Sequence, residues 1–559
     1  MTDGTRTVSG RSPLSRRNLA LSLLLTLGFV ALTGLAAPPS PPQAAARFAI
    51  SFDPAVRADA ADGRILLLVS RTDRFSPGPT GTPVFGLNVE GLKPGAKAVV
   101  DEKALGHPVR SLRDLPPGEY FVQAWLNIYT TFKRSDGKVI KLHQDQGEGQ
   151  NWRRSPGNLY SEPKKVVIGV SGKSGRAAAA IVPIVLNKVV AQIPPYQDTK
   201  WLKHVRIQSR LLTDFWGQPM FLGANVLLPK GYDERPDVRY PVHYVQGHFP
   251  RGRAGRFSED ASDPFFKLWT ADGAPRFIQV TFEHACPYYD DSYGVNSANV
   301  GPYGDAIMTE LIPHIEKTFR AIGEPWARVL SGGSTGGWIS LAMQVFYPDL
   351  FGGVWSFCPD PVDLRKYQVV DLTADKNAYF VDSEWTRVPR GGERRTDGNL
   401  VYTMEQENLY EEAIGDRYRS GGQWAIWNAV FGPAADDGYP KAFWDPLTGE
   451  IDKAAVDWAR ERYDLRLYLE KNWAEIGPKL AGKIHVYVGR MDNFYLNEAC
   501  YLLEQSLAAA KDPAAGAEFR YGDRGAHGWS PFEGDGMLRA MADHVAKSAP
   551  PSVRRDWVY

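Results

Sequence analysis

Two hydrophobic patterns divide this chain. From Arg47 to about Pro195, short runs rich in β-branched and aromatic residues alternate with Pro and Gly, which is typical of β-strands joined by tight turns. The strands predicted here are Ile65–Val69, Val84–Val89, Tyr120–Phe132, Val166–Val170 and Ile181–Val190. Since no helical periodicity interrupts them, we predict a β-sandwich domain over residues 47–195 that ends at the linker Ile193-Pro194-Pro195.

Beyond the linker, apolar strands alternate with amphipathic helices. The predicted strands are Ala224–Leu228, Tyr240–Val245, Phe277–Phe282, Arg328–Leu330, Gly353–Phe357, Ile484–Val488 and Glu518–Tyr521. The predicted helices are Asp305–Phe319, Gly337–Phe346, Glu498–Ala509 and Met537–Lys547. This alternation predicts an α/β domain over residues 196–559, built on a mostly parallel sheet that is covered on both faces.

The alternation stops between about residues 360 and 480. Polar loops there carry helical pieces at Met404–Ile414, Gln423–Phe431 and Val456–Leu469, together with six tryptophans. We interpret this segment as an insertion placed where a cap would cover an active site. Its aromatic side chains either pack in the core or offer faces that stack on sugar or phenolic rings.

The first 46 residues are typical of an export signal. Four arginines, two of them in Ser15-Arg16-Arg17-Asn18-Leu19, precede an apolar run from Leu19 to Ala37, and Ala44-Ala45-Ala46 resembles a cleavage site. The paired arginines resemble a twin-arginine signal, so we expect an extracytoplasmic protein, periplasmic or secreted. An uncleaved membrane anchor is the alternative, because the run is long enough to span a bilayer. No later segment is long and apolar enough to do so.

The composition is that of a neutral globular protein. Lys and Arg total 65 against 64 for Asp and Glu, so the net charge of +1 gives no electrostatic footprint for nucleic acid. The three cysteines, Cys286, Cys358 and Cys500, are too few for a disulfide scaffold. One bridge among them is compatible with an oxidising compartment, and the pair stays open. Nothing in the sequence indicates an oligomeric state.

Candidate chemistry begins with Gly332-Gly333-Ser334-Thr335-Gly336, which fits G-x-S-x-G. The motif alone is weak, but here a short apolar strand leads into it and a helix leads out. A nucleophilic serine needs small neighbours at such a turn, and the helix N-terminus favours the negative charge that develops during attack. We therefore predict Ser334 as the nucleophile of a hydrolase.

A serine hydroxyl needs a general base, and the α/β-hydrolase order is Ser, Asp or Glu, His. His527 directly follows the last predicted strand, whereas His544 falls in a predicted surface helix, so we assign His527 as the base. Asp492 is the first carboxylate after the strand Ile484–Val488. We assign it to orient His527, with a plain turn or helix-cap aspartate as the alternative.

The oxyanion of an acyl-transfer intermediate needs two backbone N–H donors. We expect one from Thr335 and the other from the loop Gln246-Gly247-His248-Phe249, with Gly247 or His248 as the donor and the His248 side chain shaping the pocket. No spacing of His, Cys and carboxylates predicts a metal site, and no glycine loop predicts a phosphate cofactor.

At this point the chain resembles the putative esterase family, the esterase D-like branch of the α/β-hydrolases. The resemblance rests on Tyr240–Gly247, Gly304-Asp305-Ala306, Glu310–Pro313, Ser331–Gly337, and His527 with Trp529, and covers residues from about 205 to the C-terminus. Enterochelin, feruloyl and acetylxylan esterases, S-formylglutathione hydrolases and mycolyltransferases belong to this family. The resemblance implies the triad positions above, a cofactor-free mechanism and an oxyanion donor near Gly247–His248. An N-terminal β-sandwich is similar to enterochelin esterases. The long insertion departs from the compact members.

These features predict an exported serine carboxylic esterase whose substrate is a small-molecule or carbohydrate-linked ester. An acylated carbohydrate or a phenolic ester is our first expectation, and a siderophore ester is the second. An acyltransferase of the same family and a non-catalytic binding protein on a hydrolase scaffold are the alternatives. The segment Pro287–Tyr293, followed by Asn296 and Asn299, either lines the substrate pocket or forms a structural loop.

Overall fold

Twelve strands precede residue 190 in the computed structural model, which describes residues 46–169, 181–248 and 257–558. They are β1 (Arg47–Phe52), β2 (Ala61–Ser70), β3 (Val84–Leu92), β4 (Ala98–Val100), β5 (Leu105–His107), β6 (Gly118–Ile128), β7 (Thr130–Lys133), β8 (Val139–Leu142), β9 (Leu159–Tyr160), β10 (Lys164–Ile168), β11 (Ile181–Leu186) and β12 (Lys188–Val189). One sheet has the order β11-β1-β4, and a larger one has the order β12-β9-β6-β2-β3-β5 with β10 also on β6. Apolar side chains of both sheets, such as Phe48, Ile50, Ile65 and Val122, share one buried core.

Two runs that were each predicted as one strand in this part of the chain form two strands each in the structure. The run Tyr120–Phe132 divides at Tyr129, whose N–H leaves the ladder and donates to the Asp62 carbonyl at 2.9 Å. The run Ile181–Val190 divides into β11 and β12, which pair with different sheets. The prediction also omitted β1, which pairs in parallel with β11. Strand ends of this kind depend on the partner strand, which a single run of residues does not specify.

The rest of the chain contributes the central sheet and three hairpins. The strands are β13 (Leu202–Ser209), β14 (Met220–Leu227), β15 (Val242–Gln246), β16 (Ile278–Glu283), β17 (Asn296–Ser297), β18 (Gly301–Pro302), β19 (Arg328–Gly333), β20 (Gly353–Phe357), β21 (Phe380–Asp382), β22 (Arg387–Pro389), β23 (Gly391–Arg394), β24 (Leu400–Thr403), β25 (Ile484–Gly489) and β26 (Glu518–Gly522). The sheet order is β13-β14-β16-β15-β19-β20-β25-β26, and only β14 pairs antiparallel with its described neighbours on both sides. The predicted mostly parallel sheet is confirmed, and the order is that of an α/β-hydrolase-type fold.

Helices cover this sheet and fill the long connection after β20. They are α1 (Arg210–Trp216), α2 (Pro264–Thr270), α3 (Tyr303–Ala306), α4 (Ile312–Thr318), α5 (Thr335–Phe346), α6 (Met404–Ile414), α7 (Gln423–Phe431), α8 (Lys453–Tyr463), α9 (Leu465–Leu480), α10 (Asn497–Ala509) and α11 (Gly536–Ser548). The predicted helix Asp305–Phe319 contains a π-helical turn at Ile307–Leu311 between α3 and α4. The predicted piece Val456–Leu469 is wrong as one helix, because buried Asp464 ends α8 and its carboxylate caps α9 through the Leu467 N–H at 2.8 Å.

The connection between β20 and β25 contains two hairpins, β21–β22 and β23–β24, and the helices α6 to α9. Buried Arg64 on β2 joins the larger N-terminal sheet to it. The Arg64 guanidinium donates to the carbonyls of Glu412 and Ala413 at 2.9–3.0 Å, where α6 ends. A cation at a helix C-terminus satisfies carbonyls that have no partner within the helix.

Among the described residues, no helix has the length and apolar content needed to cross a membrane. Of the predicted signal over residues 1–46, residues 1–45 lie outside the described residues, as does Phe249 of the predicted oxyanion loop. The three cysteines are buried free thiols.

Candidate active site

The predicted nucleophile Ser334 lies in a turn between β19 and α5, here called the nucleophile turn. Ser334 has φ 58° and ψ −125°, a conformation that costs a non-glycine residue about 1–3 kcal/mol and must be held by its surroundings. Gly332 and Gly336 make the turn sterically possible. A Cβ on Gly332 would lie 2.2 Å from the Gly336 carbonyl oxygen, and one on Gly336 would lie 2.2 Å from the Gln246 oxygen and 2.8 Å from the Gly247 nitrogen. The same close approach brings the predicted oxyanion loop beside the helix N-terminus.

A histidine–aspartate pair forms at the ends of β25 and β26. The His527 Nδ1 lies 2.8 Å from the Asp492 Oδ2, and the Asp492 side chain is fully buried. The other Asp492 oxygen accepts the N–H groups of Phe494 and Leu496 at 2.9 and 3.2 Å, so the backbone fixes the carboxylate. The arrangement holds the imidazole in one orientation, with its Nε2 turned away from the carboxylate.

The connection after β20 makes hydrogen bonds to the loop that carries Asp492, here called the acid loop. Arg394, at the end of β23, donates through Nε to the Asp492 carbonyl at 2.9 Å and through its backbone N–H to the Asn493 carbonyl at 2.8 Å. Asn493 returns a side-chain hydrogen bond to the Arg394 carbonyl at 2.7 Å and also accepts the His527 N–H at 2.9 Å. The long connection after β20 therefore helps to hold Asp492 and His527, the predicted acid and base, in place.

Cys358 is a further neighbour of the histidine. It follows β20 with φ 34°, it is buried, and its sulfur lies within 4.8 Å of ligand atoms of both Asp492 and His527. Burial by itself lowers the pKa of the His527 imidazole, but hydrogen bonds with Asp492 and Cys358 outweigh it and raise this pKa to about 11.

The Ser334 hydroxyl donates to Asp360 and not to His527 in the described structure. Its Oγ lies 3.4 Å from the Asp360 Oδ1, and the Asp360 N–H lies 3.3 Å from the Ser334 carbonyl. Asp360 is almost fully buried, three residues beyond β20, and burial raises its pKa. The His527 charge acts in the opposite direction and lowers the pKa of the same carboxyl.

Four donors converge on the other oxygen of Asp360. The Tyr293 hydroxyl lies at 2.5 Å, the Thr335 hydroxyl at 3.1 Å, the Trp427 Nε1 at 3.2 Å and the Gln423 Nε2 at 3.4 Å from Oδ2. Gln423 and Trp427 belong to α7, so the connection after β20 supplies part of the wall that surrounds the nucleophile. Trp424 and Trp444 of the same segment pack in the core, whereas Trp385 is 86% exposed.

His248 faces two further buried carboxylates. Its Nδ1 lies 3.5 Å from Asp290 and 3.6 Å from Asp291, with the Tyr289 hydroxyl at 3.1 Å. Burial lowers the pKa of His248, but the Asp290 hydrogen bond and the surrounding carboxylate charges raise it to about 9. Burial and the Asp290 charge raise the pKa of Asp291 well above its usual range. One ligand atom from each of His248, Asp290 and Asp291 lies within 4.8 Å of the others, a spacing that a metal ion could bridge, and the same holds for Cys358, Asp492 and His527.

The structure brings most predicted site residues together. Ser334, Thr335, Gly247 and His248 meet at the nucleophile turn, and Asp492 contacts His527. Of the segment Pro287–Tyr293, residues 289–291 contact His248, and residue 293 contacts Asp360. Asn299 instead donates to the carbonyls of Ala429 and Gly432, a structural role. Sequence reasoning missed Asp360, although a carboxylate just beyond a parallel strand was a usable signal. No sequence signal indicated that Gln423 and Trp427 of α7 contact Asp360.

Known proteins are similar to this chain over different shares of its length. A family model described as "Putative esterase" matches residues 221–535, more than half of the chain, and this range includes Ser334, Asp492 and His527. An endo-1,4-beta-xylanase/feruloyl esterase of Xylanibacter ruminicola is 26% identical over 164 residues, which are 28% of this chain and only 22% of that protein.

Two solved structures are similar over a larger share of the chain. A ferulic acid esterase structure aligns over 62% of this chain and 99% of its own, with 16% identity and a TM-score of 0.35. The S-formylglutathione hydrolase of Agrobacterium tumefaciens aligns over 63% of this chain and 98% of its own, with 15% identity and a TM-score of 0.34.

Proposed function

Because the chain belongs to the putative esterase family, we propose that it is a serine esterase that hydrolyses carboxylic esters through an acyl-enzyme. Ser334 attacks the ester carbonyl, His527 accepts its proton, and Asp492 holds the imidazole and stabilises its charge. The observation that carries this proposal is the strained Ser334 at a helix N-terminus, with a His527–Asp492 pair of 2.8 Å delivered from two strand ends of the same sheet.

Attack requires a small motion. The Ser334 hydroxyl rotates about χ1 from Asp360 toward His527, a change between staggered rotamers that leaves the backbone in place. Hydrogen bonds between catalytic groups are often long before substrate binds and shorten in the complex. His527 then gives its proton to the leaving alcohol and activates a water molecule that hydrolyses the acyl-enzyme.

The Thr335 N–H and the Gly247–His248 loop hold the oxyanion. Each such donor lowers the barrier by about 3–4 kcal/mol. The raised pKa of His248 leaves its imidazole cationic at neutral pH, which favours the same negative charge.

The remaining parts serve this reaction as accessory elements. Residues 47–195 form a β-sandwich domain, and the segment of about 360–480 is a cap that contributes Gln423 and Trp427 to the site. The enzyme is exported by the twin-arginine-like signal in its first 46 residues and acts on an acylated carbohydrate or phenolic ester outside the cytoplasm.

Ser334→Ala tests the proposal. The variant should lose p-nitrophenyl ester turnover by about a thousandfold or more, because no other group replaces the nucleophile. Ser530→Ala, which removes an exposed hydroxyl near His527, should retain turnover and serves as the control. Undiminished turnover by Ser334→Ala would end the proposal.

A further inference from the structure

The nucleophile's contact with Asp360 has a consequence for the substrate. The Trp427 and Gln423 nitrogens can only donate, and both make shorter hydrogen bonds to the Tyr293 hydroxyl than to Oδ2. The Tyr293 hydroxyl therefore directs its own proton to Oδ2, which acts as an acceptor without a proton. The Thr335 hydroxyl also donates to Oδ2, so the hydroxyls of Tyr293 and Thr335 satisfy this oxygen. Oδ1, in contrast, accepts only the 3.4 Å hydrogen bond of Ser334 among the described residues.

This one donor disappears during the reaction proposed above. When Ser334 is acylated, its Oγ becomes an ester oxygen and carries no hydrogen. Asp360 Oδ1 then lies in a buried site without a donor for the lifetime of the acyl-enzyme, and an unsatisfied buried acceptor is unfavourable. Water or a group on the acyl chain must replace the serine proton.

The acyl group is well placed to do so. In an ester of Ser334, a substituent on the carbon next to the carbonyl lies about 3 Å from Oγ, by ordinary bond lengths and angles. Asp360 Oδ1 lies 3.4 Å from the same Oγ. A hydroxyl or ammonium group on that carbon can therefore reach Oδ1, whereas a methyl group there leaves it without a donor.

Resting on the proposed esterase function, we propose that the enzyme selects acyl groups with a hydrogen-bond donor on the carbon next to the carbonyl, the 2-hydroxyacyl and 2-aminoacyl esters. Asp360 is the residue that recognises this donor. Tyr293, Thr335, Gln423 and Trp427 hold its carboxylate in the orientation that aims Oδ1 at the acyl group.

Matched p-nitrophenyl esters test this selection: propionate against lactate for the hydroxyl, and propionate against alaninate for the ammonium. Each kcat/KM is divided by the rate of hydroxide-catalysed hydrolysis, which removes differences in intrinsic reactivity. We expect a corrected preference of about tenfold or more for at least one donor-bearing ester, and the two arms show whether a neutral or a charged donor is selected. Equal corrected rates for all three esters would overturn the inference.

Asp360→Asn gives the second readout. Its amide oxygen can keep the four donors, which turns the NH2 group toward the acyl chain and replaces an acceptor with a donor. The preference should fall to about one or reverse, and an unchanged preference would contradict the role of Asp360. Asp305→Asn, which alters another carboxylate that accepts a tyrosine hydroxyl, at 3.2 Å, is the matched control.

Labelling with a fluorophosphonate separates this inference from the proposed function. A protein that is labelled and hydrolyses the three esters without preference retains the esterase function and loses the substrate inference. A folded protein that neither labels nor hydrolyses any of them loses both. If Asp360→Asn does not fold, as judged by circular dichroism, the wild-type ester series alone decides.

Discussion

The two sides of the candidate active site are built differently. On one side, Ser334, Asp492 and His527 each lie within five residues of the end of a parallel strand of one sheet. On the other side, the wall around Asp360 comes from a loop (Tyr293) and from α7 of the long connection (Gln423 and Trp427). The strand-end side has the geometry of a general hydrolase, and the wall has the donors and acceptors that can distinguish one substrate from another. In the proposed function, the strand-end side carries out the reaction and the wall around Asp360 selects the acyl group.

We expect the largest loss of activity when Asp492, the proposed acid of the strand-end side, is changed. Asp492→Asn keeps an oxygen for the Phe494 and Leu496 N–H groups but can no longer fix the His527 tautomer. We expect kcat for a p-nitrophenyl ester to fall by about a hundredfold to ten-thousandfold. Steady-state kinetics with Asp523→Asn, an exposed aspartate near the same loop, provides the control. A loss below threefold would show that another group orients the histidine.

We expect a smaller loss of activity when the connection after β20 is changed, because it contacts the acid loop. Arg394→Met removes the hydrogen bonds to the Asp492 carbonyl and to Asn497 without touching the proposed catalytic side chains. We expect kcat/KM to fall by about tenfold, since a small misplacement of the acid loop weakens the His527 orientation. Arg387→Met in the neighbouring exposed hairpin should leave kcat/KM within about twofold. If Arg394→Met and Arg387→Met change kcat/KM equally, the contact between Arg394 and the acid loop has no role in catalysis.

The smallest expected effect is a change in pH dependence. His527 must be neutral to accept a proton, and its raised pKa means that kcat/KM should increase toward alkaline pH. The contact with Cys358 contributes to that raised pKa, so Cys358→Ala should lower the pKa and move the acidic limb of the profile to lower pH. A shift of roughly one pH unit would correspond to about 1.4 kcal/mol. A shift to higher pH would contradict this assignment.

The control for this shift is a second buried thiol. Cys500→Ala removes a fully buried sulfur on α10 and should leave the acidic limb in place. Profiles measured as kcat/KM for one ester across the pH range compare the free enzymes. An equal shift in both variants would indicate a general loss of packing around Asp492 and not a specific contact with His527.

The same division explains what the sequence could predict. Parallel strands bring their carboxyl ends to one edge, so polar residues after β25 and β26 were enough to predict the contact between Asp492 and His527, and the motif was enough to predict the turn at Ser334. Asp360 also follows a parallel strand, β20, but it lies in no recognised motif. Gln423 and Trp427 lie on a helix whose packing depends on the whole connection, and no local pattern specifies which of its side chains reach Asp360. The divided strand at Tyr129 and the helix break at Asp464 likewise depend on contacts distant in sequence or on a local cap.

Mass-spectrometric mapping of a fluorophosphonate adduct tests most directly whether Ser334 is the nucleophile. The reagent reacts with an activated serine, and peptide mapping identifies the residue that carries the phosphonyl group. We predict one adduct on Ser334 in the folded wild-type protein and none in Ser334→Ala. A folded protein that remains unlabelled, or an adduct on any other residue while Ser334 stays unmodified, would contradict it.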